Sequence, residues 1–349
     1  LSEIVMATAA GLTAFAVTFL LTPLVRSTAV RFGWIVPPAQ DRWGRRAIAR
    51  LGGAAMVLGF LAAAFVWVRP ERGLLSFFAG LTLVSLLGLT DDVHRLPAVT
   101  KLIAQLLIGC LVVVGGSRIS LPQWTWLSIP LSVMWFVLVM NAFNLLDNMD
   151  GLAAGVGAIA AGFCAVHAAL AQQWTVMALN AALCGSCLGF LRFNFPPAKI
   201  YMGDSGSHFI GLSLAALSLA GTWRHSTQLL SVLAVPTLVL AVPIFDTCFV
   251  TIQRLLHRQH PFIGGTDHVS HRLAILGLST RQSVTARCTV FSSSRTLPGQ
   301  SCASSRCCAS TLMPSIDLFC LRLYLARKCA ASSGMSFLRS RRGGSRIGR

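Results

Sequence analysis

GLAAGVGAIAAGFCAVHAALAQQWTVMALNAALCGSCLGFL, residues 151 to 191, runs for 41 residues without one Asp, Glu, Lys or Arg. A helix crosses the bilayer core in about 20 apolar residues, so this stretch holds two crossings, with the turn near Gln172, Gln173 and Trp174. Seven further charge-free windows accompany it, at 4–25, 51–68, 73–90, 102–117, 119–146, 205–223 and 225–245, which makes nine spans. Composition agrees: of 349 residues 54% are hydrophobic and 11% charged, against about a quarter charged in a soluble domain. The expected fold class is all-α, a polytopic membrane protein with about nine transmembrane helices over residues 1–281, and a separate Ser/Arg/Cys-rich tail over 282–349.

The formal charge of +18 does not indicate nucleic acid, because 11 of the 29 Lys and Arg follow residue 281 and the remainder are thinly spread over short loops. Window 4–25 reads as a retained first helix, since no basic segment precedes it and Pro23 to Arg26 makes a poor signal-peptidase site. Of the 11 cysteines, six lie in the tail; Cys184 and Cys187 have redox-motif spacing but sit inside an apolar span, where packing is the expected role. No disulfide or zinc framework follows.

If the spans alternate in direction, the loops 26–50, 91–101, 192–204 and 253–281 share one side and carry 14 Lys and Arg, whereas the other side carries four, Arg69, Arg72, Arg118 and Arg224. The positive-inside rule then places the first set in the cytoplasm and the N-terminus outside. Acidic residues barely influence that rule, yet eight of the eleven fall in the same set or at its helix ends: Asp41, Asp91, Asp92, Asp147, Asp150, Asp204, Asp246 and Asp267. A carboxylate in mid-bilayer costs about 2.5–3.5 kcal/mol even on mild scales, so interface depth makes these groups tolerable.

Four segments carry candidate chemistry. LTDDVHRLPAVTKLIAQ, 89–105, places Asp91 and Asp92 at the end of the third span and Lys101 at the start of the fourth. Such a carboxylate pair can hold a divalent cation or make one member a base near neutral pH, with helix capping as the plain alternative. NAFNLLDNMDGLAAG, 141–155, sets Asn141, Asn144 and Asp147 three residues apart on one helical face, suited to a base or ribose plus a carboxylate, with a structural polar cluster as the plain alternative; Gly151 allows a turn, and with Gly155 close helix packing.

FNFPPAKIYMGDSGSHFIG, 193–211, has Asp204 between Gly203 and Ser205, where backbone amides can approach an anion while the carboxylate takes a metal. Mg²⁺ uses one or two carboxylates and completes its octahedron with water and phosphate, which makes Asp204 the first-choice ligand; a simple turn aspartate is the alternative. RLLHRQHPFIGGTDHVSHRLAILGLS, 254–279, gathers Arg254, Arg258, Arg272 and four histidines, suited to a diphosphate or to lipid headgroups. P-loop, dinucleotide and serine-elbow motifs are absent from the sequence.

In this order and on one membrane side, the four segments resemble the polyprenyl-phosphate N-acetylhexosamine-1-phosphate transferases, a group within glycosyltransferase family 4, over roughly residues 1–281. The resemblance implies catalytic roles for Asp91 and Asp92, a metal role for Asp204, and substrate contacts from Asn144, Asp147, Asn194, His268, His271 and Arg272; Lys101 and Asn141 join the substrate-binding candidates from their places in the motifs themselves. It further implies ten or eleven spans and a cytoplasmic-face site in the inner (plasma) membrane. The cofactor would be Mg²⁺, with Mn²⁺ as a substitute, and the substrates a UDP-N-acetylhexosamine and a polyprenyl phosphate such as undecaprenyl phosphate. The product would initiate a cell-envelope glycan such as lipopolysaccharide or a cell-wall polymer, and a homodimer is left open. PPAQDRWGRRAIARLGG, 37–53, is similar to that family's first cytoplasmic loop, with Gly44 where a histidine is common.

The branch using the muramyl-pentapeptide donor has three consecutive histidines in its last loop; His268, Val269, Ser270, His271 here favour a UDP-N-acetylglucosamine-type donor. One of Asp91 and Asp92 would deprotonate or orient the lipid phosphate, and a covalent aspartyl-phosphate route stays open. The rival class is a secondary transporter, for which Pro236 and Pro243 could break the ninth span, but transport sites lie near the midplane and these motifs gather at one interface. After residue 281 the composition of SSSRTLPGQSCASSRCCAS fits a disordered tail or a shifted reading frame.

Overall fold

A computed structural model describes residues 2–36, 47–69, 72–119 and 124–220, with isolated residues at 240, 243–248, 251, 282 and 284–285. The chain divides into Leu1–Ser292 and Ser293–Arg349, and every described residue belongs to the first unit. Eight helices appear among the described residues: α1 (Ser2–Arg31), α2 (Gly52–Trp67), α3 (Arg72–His94), α4 (Ala98–Val114), α5 (Thr125–Leu146), α6 (Leu152–Leu170), α7 (Trp174–Asn194) and α8 (Gly203–Ala220). They match eight of the nine expected spans, and the chain is a multi-pass, all-α membrane protein. Most of the ninth window, 225–245, lies outside the described residues, as do His268, His271, Arg272 and nearly all of the tail.

Among the described residues five helices are long and apolar enough to cross a bilayer, and α2 and α4 are shorter apolar ones. The 41-residue stretch divides as expected into α6 and α7, with Gln172 at φ 55° in the turn. Several boundaries differ from the charge-free windows, α1 running on to Arg31 and α4 starting at Ala98 among them, and two have a clear cause. Helix α3 continues past residue 90 to His94, because loss of apolarity marks the bilayer edge and not the end of the backbone ladder. Helix α5 begins at Thr125 instead of near 119, because Ser132 Oγ accepts the Ile119 N–H and Ser128 Oγ donates to the Ile119 carbonyl, folding that residue back onto the helix.

The core is organised around α8, in which every residue from Ser205 to Leu219 is buried. A helix covered on all sides belongs in the middle of a bundle, and α8 packs against α2, α3, α5, α6 and α7. By contrast α1 leaves Val5, Leu12, Leu20 and Leu24 exposed, as suits a lipid-facing helix.

Lipid tails provide no hydrophobic drive between helices, so close backbone approach and buried hydrogen bonds must join them. Between α1 and α7, Gly185 and Gly189 lie one turn apart; a β-carbon on Gly185 would overlap the Gly11 carbonyl, and one on Gly189 would meet the Phe15 carbonyl oxygen at 2.6 Å. Ser186 donates to the Met56 carbonyl at 2.8 Å, tying α7 to α2. Gly185→Leu is therefore expected to lower the thermal unfolding midpoint in detergent, overpacking of this kind costing about 1–3 kcal/mol; an unchanged midpoint would count against the contact.

One small β element serves the site. Strands β1 (Ile35–Val36) and β2 (Ile48–Ala49) pair antiparallel, and Ala49 bridges to Ile200. Tyr201 donates its N–H to the Ala49 carbonyl at 2.9 Å, while Gly52 and Gly53 donate to Tyr201 and Met202 at 2.9 Å each. The first loop and the start of α2 are thus stitched to the segment that leads into α8.

Candidate active site

The site is assembled from helix ends. Arg95, at φ 52°, closes α3 in the left-handed conformation and donates its N–H to the Asp91 carbonyl at 2.9 Å. The Asp91 carboxylate accepts the Leu96 N–H at 2.7 Å, so this residue shapes the turn as well as offering charge. Pro97 precedes α4, which brings Lys101 back over the turn: its Nζ lies 3.0 Å from Asp91 Oδ2 and 3.2 Å from Asp204 Oδ2. One ammonium bridges carboxylates that are 113 residues apart in the chain.

Adjacent residues of a helix point about 100° apart, so Asp91 meets the Lys101 ammonium and the Asp204 side chain while Asp92 turns to the main chain at the start of α8. Asp92 faces α8, where it accepts the N–H groups of Asp204 at 3.0 Å and Ser205 at 3.3 Å. The first amides of a helix have no acceptor inside it, and a carboxylate there also meets the positive end of the helix dipole. The sequence suggested that these amides receive a substrate anion; in the structure they receive Asp92, because α3 and α8 cross closely enough for the protein to supply the anion itself. Gly203 has φ 73°, and a β-carbon on it would overlap the Asp92 carboxylate.

The asparagine motif flanks this cluster. Asn144 Nδ2 donates to Ser207 Oγ at 3.2 Å, and Ser207 donates to the Asp204 carbonyl at 3.3 Å. Asp147, half-buried, follows the last residue of α5, with its N–H on the Phe143 carbonyl at 3.1 Å. One turn before Asn144, Asn141 Nδ2 donates to the Val137 carbonyl at 2.8 Å and to Gln105 Oε1 at 2.7 Å.

Asn194 has a different setting. It is buried, its Oδ1 accepts the Gly151 N–H at 2.9 Å, and its Nδ2 donates to the Ile200 carbonyl at 3.0 Å, bracing the start of α6 against the segment before α8. Asp150 clips the same region, accepting the Ala198 N–H at 2.9 Å; burial pushes its carboxyl pKa up and that hydrogen bond opposes the rise. The structure thus brings Asp91, Asp92, Lys101, Asn144 and Asp204 into one network, sets Asn141 just behind it, and gives Asn194 a bracing position.

Two residues with no assigned role in the sequence reading belong to the network, Gln105 and His208. Their signal was spacing: Gln105 is four residues after Lys101 and His208 four after Asp204, so each lies one turn further along the same helix face. Both are about 2% exposed.

Among the described residues no three His, Cys, Asp or Glu side chains form a ready-made metal cage. Asp91 and Asp204 nevertheless present hard oxygen donors beside a single ammonium, a set that fits Mg²⁺, which needs one or two carboxylates and takes its other ligands from water and phosphate.

Comparison with known proteins agrees with this geometry. The description of glycosyl transferase family 4 matches residues 74–222, which contain all of the clustered side chains. A Bacillus subtilis protein named a probable undecaprenyl-phosphate N-acetylglucosaminyl 1-phosphate transferase is 36% identical over 275 residues, covering 76% of each chain. The decaprenyl-phosphate N-acetylglucosaminephosphotransferase of Mycolicibacterium smegmatis is 32% identical over 316 residues, 78% of this chain and 77% of its own. A phospho-N-acetylmuramoyl-pentapeptide-transferase from Halalkalibacterium halodurans is 32% identical over a shorter 194 residues, 48% of this chain and 59% of its own. With its multi-pass bundle and its network of acids at the helix ends, the chain belongs to glycosyl transferase family 4.

Proposed function

We propose that this protein transfers N-acetylglucosamine-1-phosphate from UDP-N-acetylglucosamine to a polyprenyl phosphate, releasing UMP, as the first step of a cell-envelope glycan. The observation that carries the proposal is Lys101 held between Asp91 and Asp204, in a chain whose relatives named for that transfer match it over more than three quarters of its length. The muramyl-pentapeptide relatives match less than half of it.

In the reaction an oxygen of the lipid phosphate bonds to the donor phosphorus next to the sugar. The bond from that phosphorus to the UMP oxygen breaks, and UMP leaves with the electron pair. Asp91 is the member of the pair suited to take a proton from the lipid phosphate or to orient it, since both Asp92 oxygens hold the start of α8. Lys101 balances charge between Asp91 and Asp204 and is placed to pair with a phosphate oxygen. Asn144 and Asp147, with Asn141 behind them, are assigned to the nucleoside, Asn194 to bracing, and His268, His271 and Arg272 to the remaining diphosphate charge. Asp204, with Asp91 beside it, would hold a Mg²⁺, or Mn²⁺ in its place, whose chemistry is to neutralise the diphosphate and the departing UMP.

The 14-to-4 distribution of basic residues supports a cytoplasmic site and an external N-terminus, and residence in the inner (plasma) membrane is part of the same proposal. A cysteine replacing Ser2 is expected to react with an impermeant maleimide in intact cells, and its protection would reverse the orientation. For activity, the purified full chain is expected to release UMP from UDP-N-acetylglucosamine with undecaprenyl phosphate and Mg²⁺. That release should stop on EDTA treatment and return with Mg²⁺ or Mn²⁺. Release from the muramyl-pentapeptide donor alone would overturn the sugar assignment, and turnover after complete chelation would overturn the metal.

A further inference from the structure

Behind the acidic cluster a chain of side chains, Gln105 and His208 buried and Asn141 half-buried, crosses three helices. Asn141 on α5 donates to Gln105 Oε1 on α4 at 2.7 Å, Gln105 Nε2 lies 2.8 Å from His208 Nε2 on α8, and His208 Nδ1 lies 2.7 Å from the Asp204 carbonyl. Carbonyl oxygens at the two ends determine the direction of every bond between them. The Asp204 carbonyl only accepts, so Nδ1 carries the histidine proton. Val137, at the other end, also offers a carbonyl that only accepts, so the Asn141 amide nitrogen faces it and Gln105 together. Gln105 must then present its oxygen to Asn141 and its nitrogen to the bare Nε2 of a neutral His208. No member can rotate without leaving a buried polar group unpaired.

The Asp204 carbonyl is also the acceptor of Ser207, which is held by Asn144. Two routes from α5, through residues three apart, therefore converge on one main-chain atom of the residue whose carboxylate meets Lys101. Gln105 sits one turn after Lys101 on α4, so the same chain sets the height of α4 against α8.

We infer that Gln105 and His208 are positioning residues: a directional hydrogen-bond relay that fixes the α4–α8 register and thereby holds Lys101 between Asp91 and Asp204. The kinetic consequence rests on the proposed transferase reading; the placement of Lys101 does not. Removing one partner leaves the other buried and unpaired, whereas replacing both by apolar groups can be nearly neutral for stability. That asymmetry separates positioning from mere support.

The experiment compares His208→Leu, Gln105→Leu and the double variant in the purified full chain. Both single variants are expected to lower the thermal midpoint, and the double variant to recover most of that loss. In the double variant kcat for UMP release is expected to stay 10- to 100-fold down with KM for UDP-N-acetylglucosamine within about threefold. Trace acetylation of Lys101, read by mass spectrometry against the exposed Lys199, is expected to rise at least threefold in the double variant. A stable double variant with wild-type kcat, or with an unchanged Lys101-to-Lys199 labelling ratio, would overturn the relay. Because labelling needs no turnover, a wild-type chain inactive toward every donor would sink the transferase reading and still leave the relay decided.

Discussion

Asp204→Asn is expected to reduce UMP release by at least 10²- to 10³-fold while the protein stays folded, a loss of the size seen when one electrostatic contact to a reacting group is removed. The amide keeps the side chain's size and can still accept from Lys101 Nζ, 3.2 Å away in the native protein. The main-chain amide of residue 204 still donates to Asp92, so the start of α8 keeps its cap. What disappears is the negative charge beside Asp91, and with it the carboxylate proposed to hold a hard cation. The steady-state rate with saturating Mg²⁺ measures this, alongside the thermal midpoint. Equal turnover in the variant and the wild type would remove Asp204 from the chemistry.

Gly203→Ala is expected to destabilise the site through a single added methyl group. The left-handed φ of 73° disfavours any side chain there by about 1–2 kcal/mol. The added carbon also overlaps the Asp92 carboxylate. If Asp92 moves aside, the helix loses an N-terminal cap at about 0.5–2 kcal/mol, and the combined loss is about 1.5–4 kcal/mol. A double-mutant cycle with Asp92→Ala checks the cause: once the carboxylate is gone the overlap is gone, so the two losses should fall short of additive by about a cap's worth. Strict additivity would show that the strain lies in the backbone alone.

Much of the bundle was legible because a bilayer excludes charge. Windows free of Asp, Glu, Lys and Arg located eight helices to within a few residues, and loop parity grouped segments that do meet, as in the contacts of Lys101 with Asp204 and of Asp150 with Ala198. The limits were physical too. A neighbouring pair such as Asp91 and Asp92 looks like one functional unit in a string of letters, but helical geometry turns Asp91 to the side chains of Lys101 and Asp204 and Asp92 to the main-chain amides of α8. The cap that Asp92 provides joins residues 112 apart, so no local pattern announces it. Gln105 and His208 fell inside or beside apolar windows, where an uncharged polar residue looks like an interruption of a span; only the packing of α4, α5 and α8 shows that they interlock.

The wide sequence separation within the cluster also orders events during synthesis. A nascent chain that has inserted α3 and α4 already contains Asp91 and Lys101, but the amides that hold Asp92 and the second carboxylate on Lys101 arrive only with α8. The acidic cluster therefore stays incomplete until the eighth helix threads into the centre of the bundle and brings Asp204 to Lys101 and its first amides to Asp92.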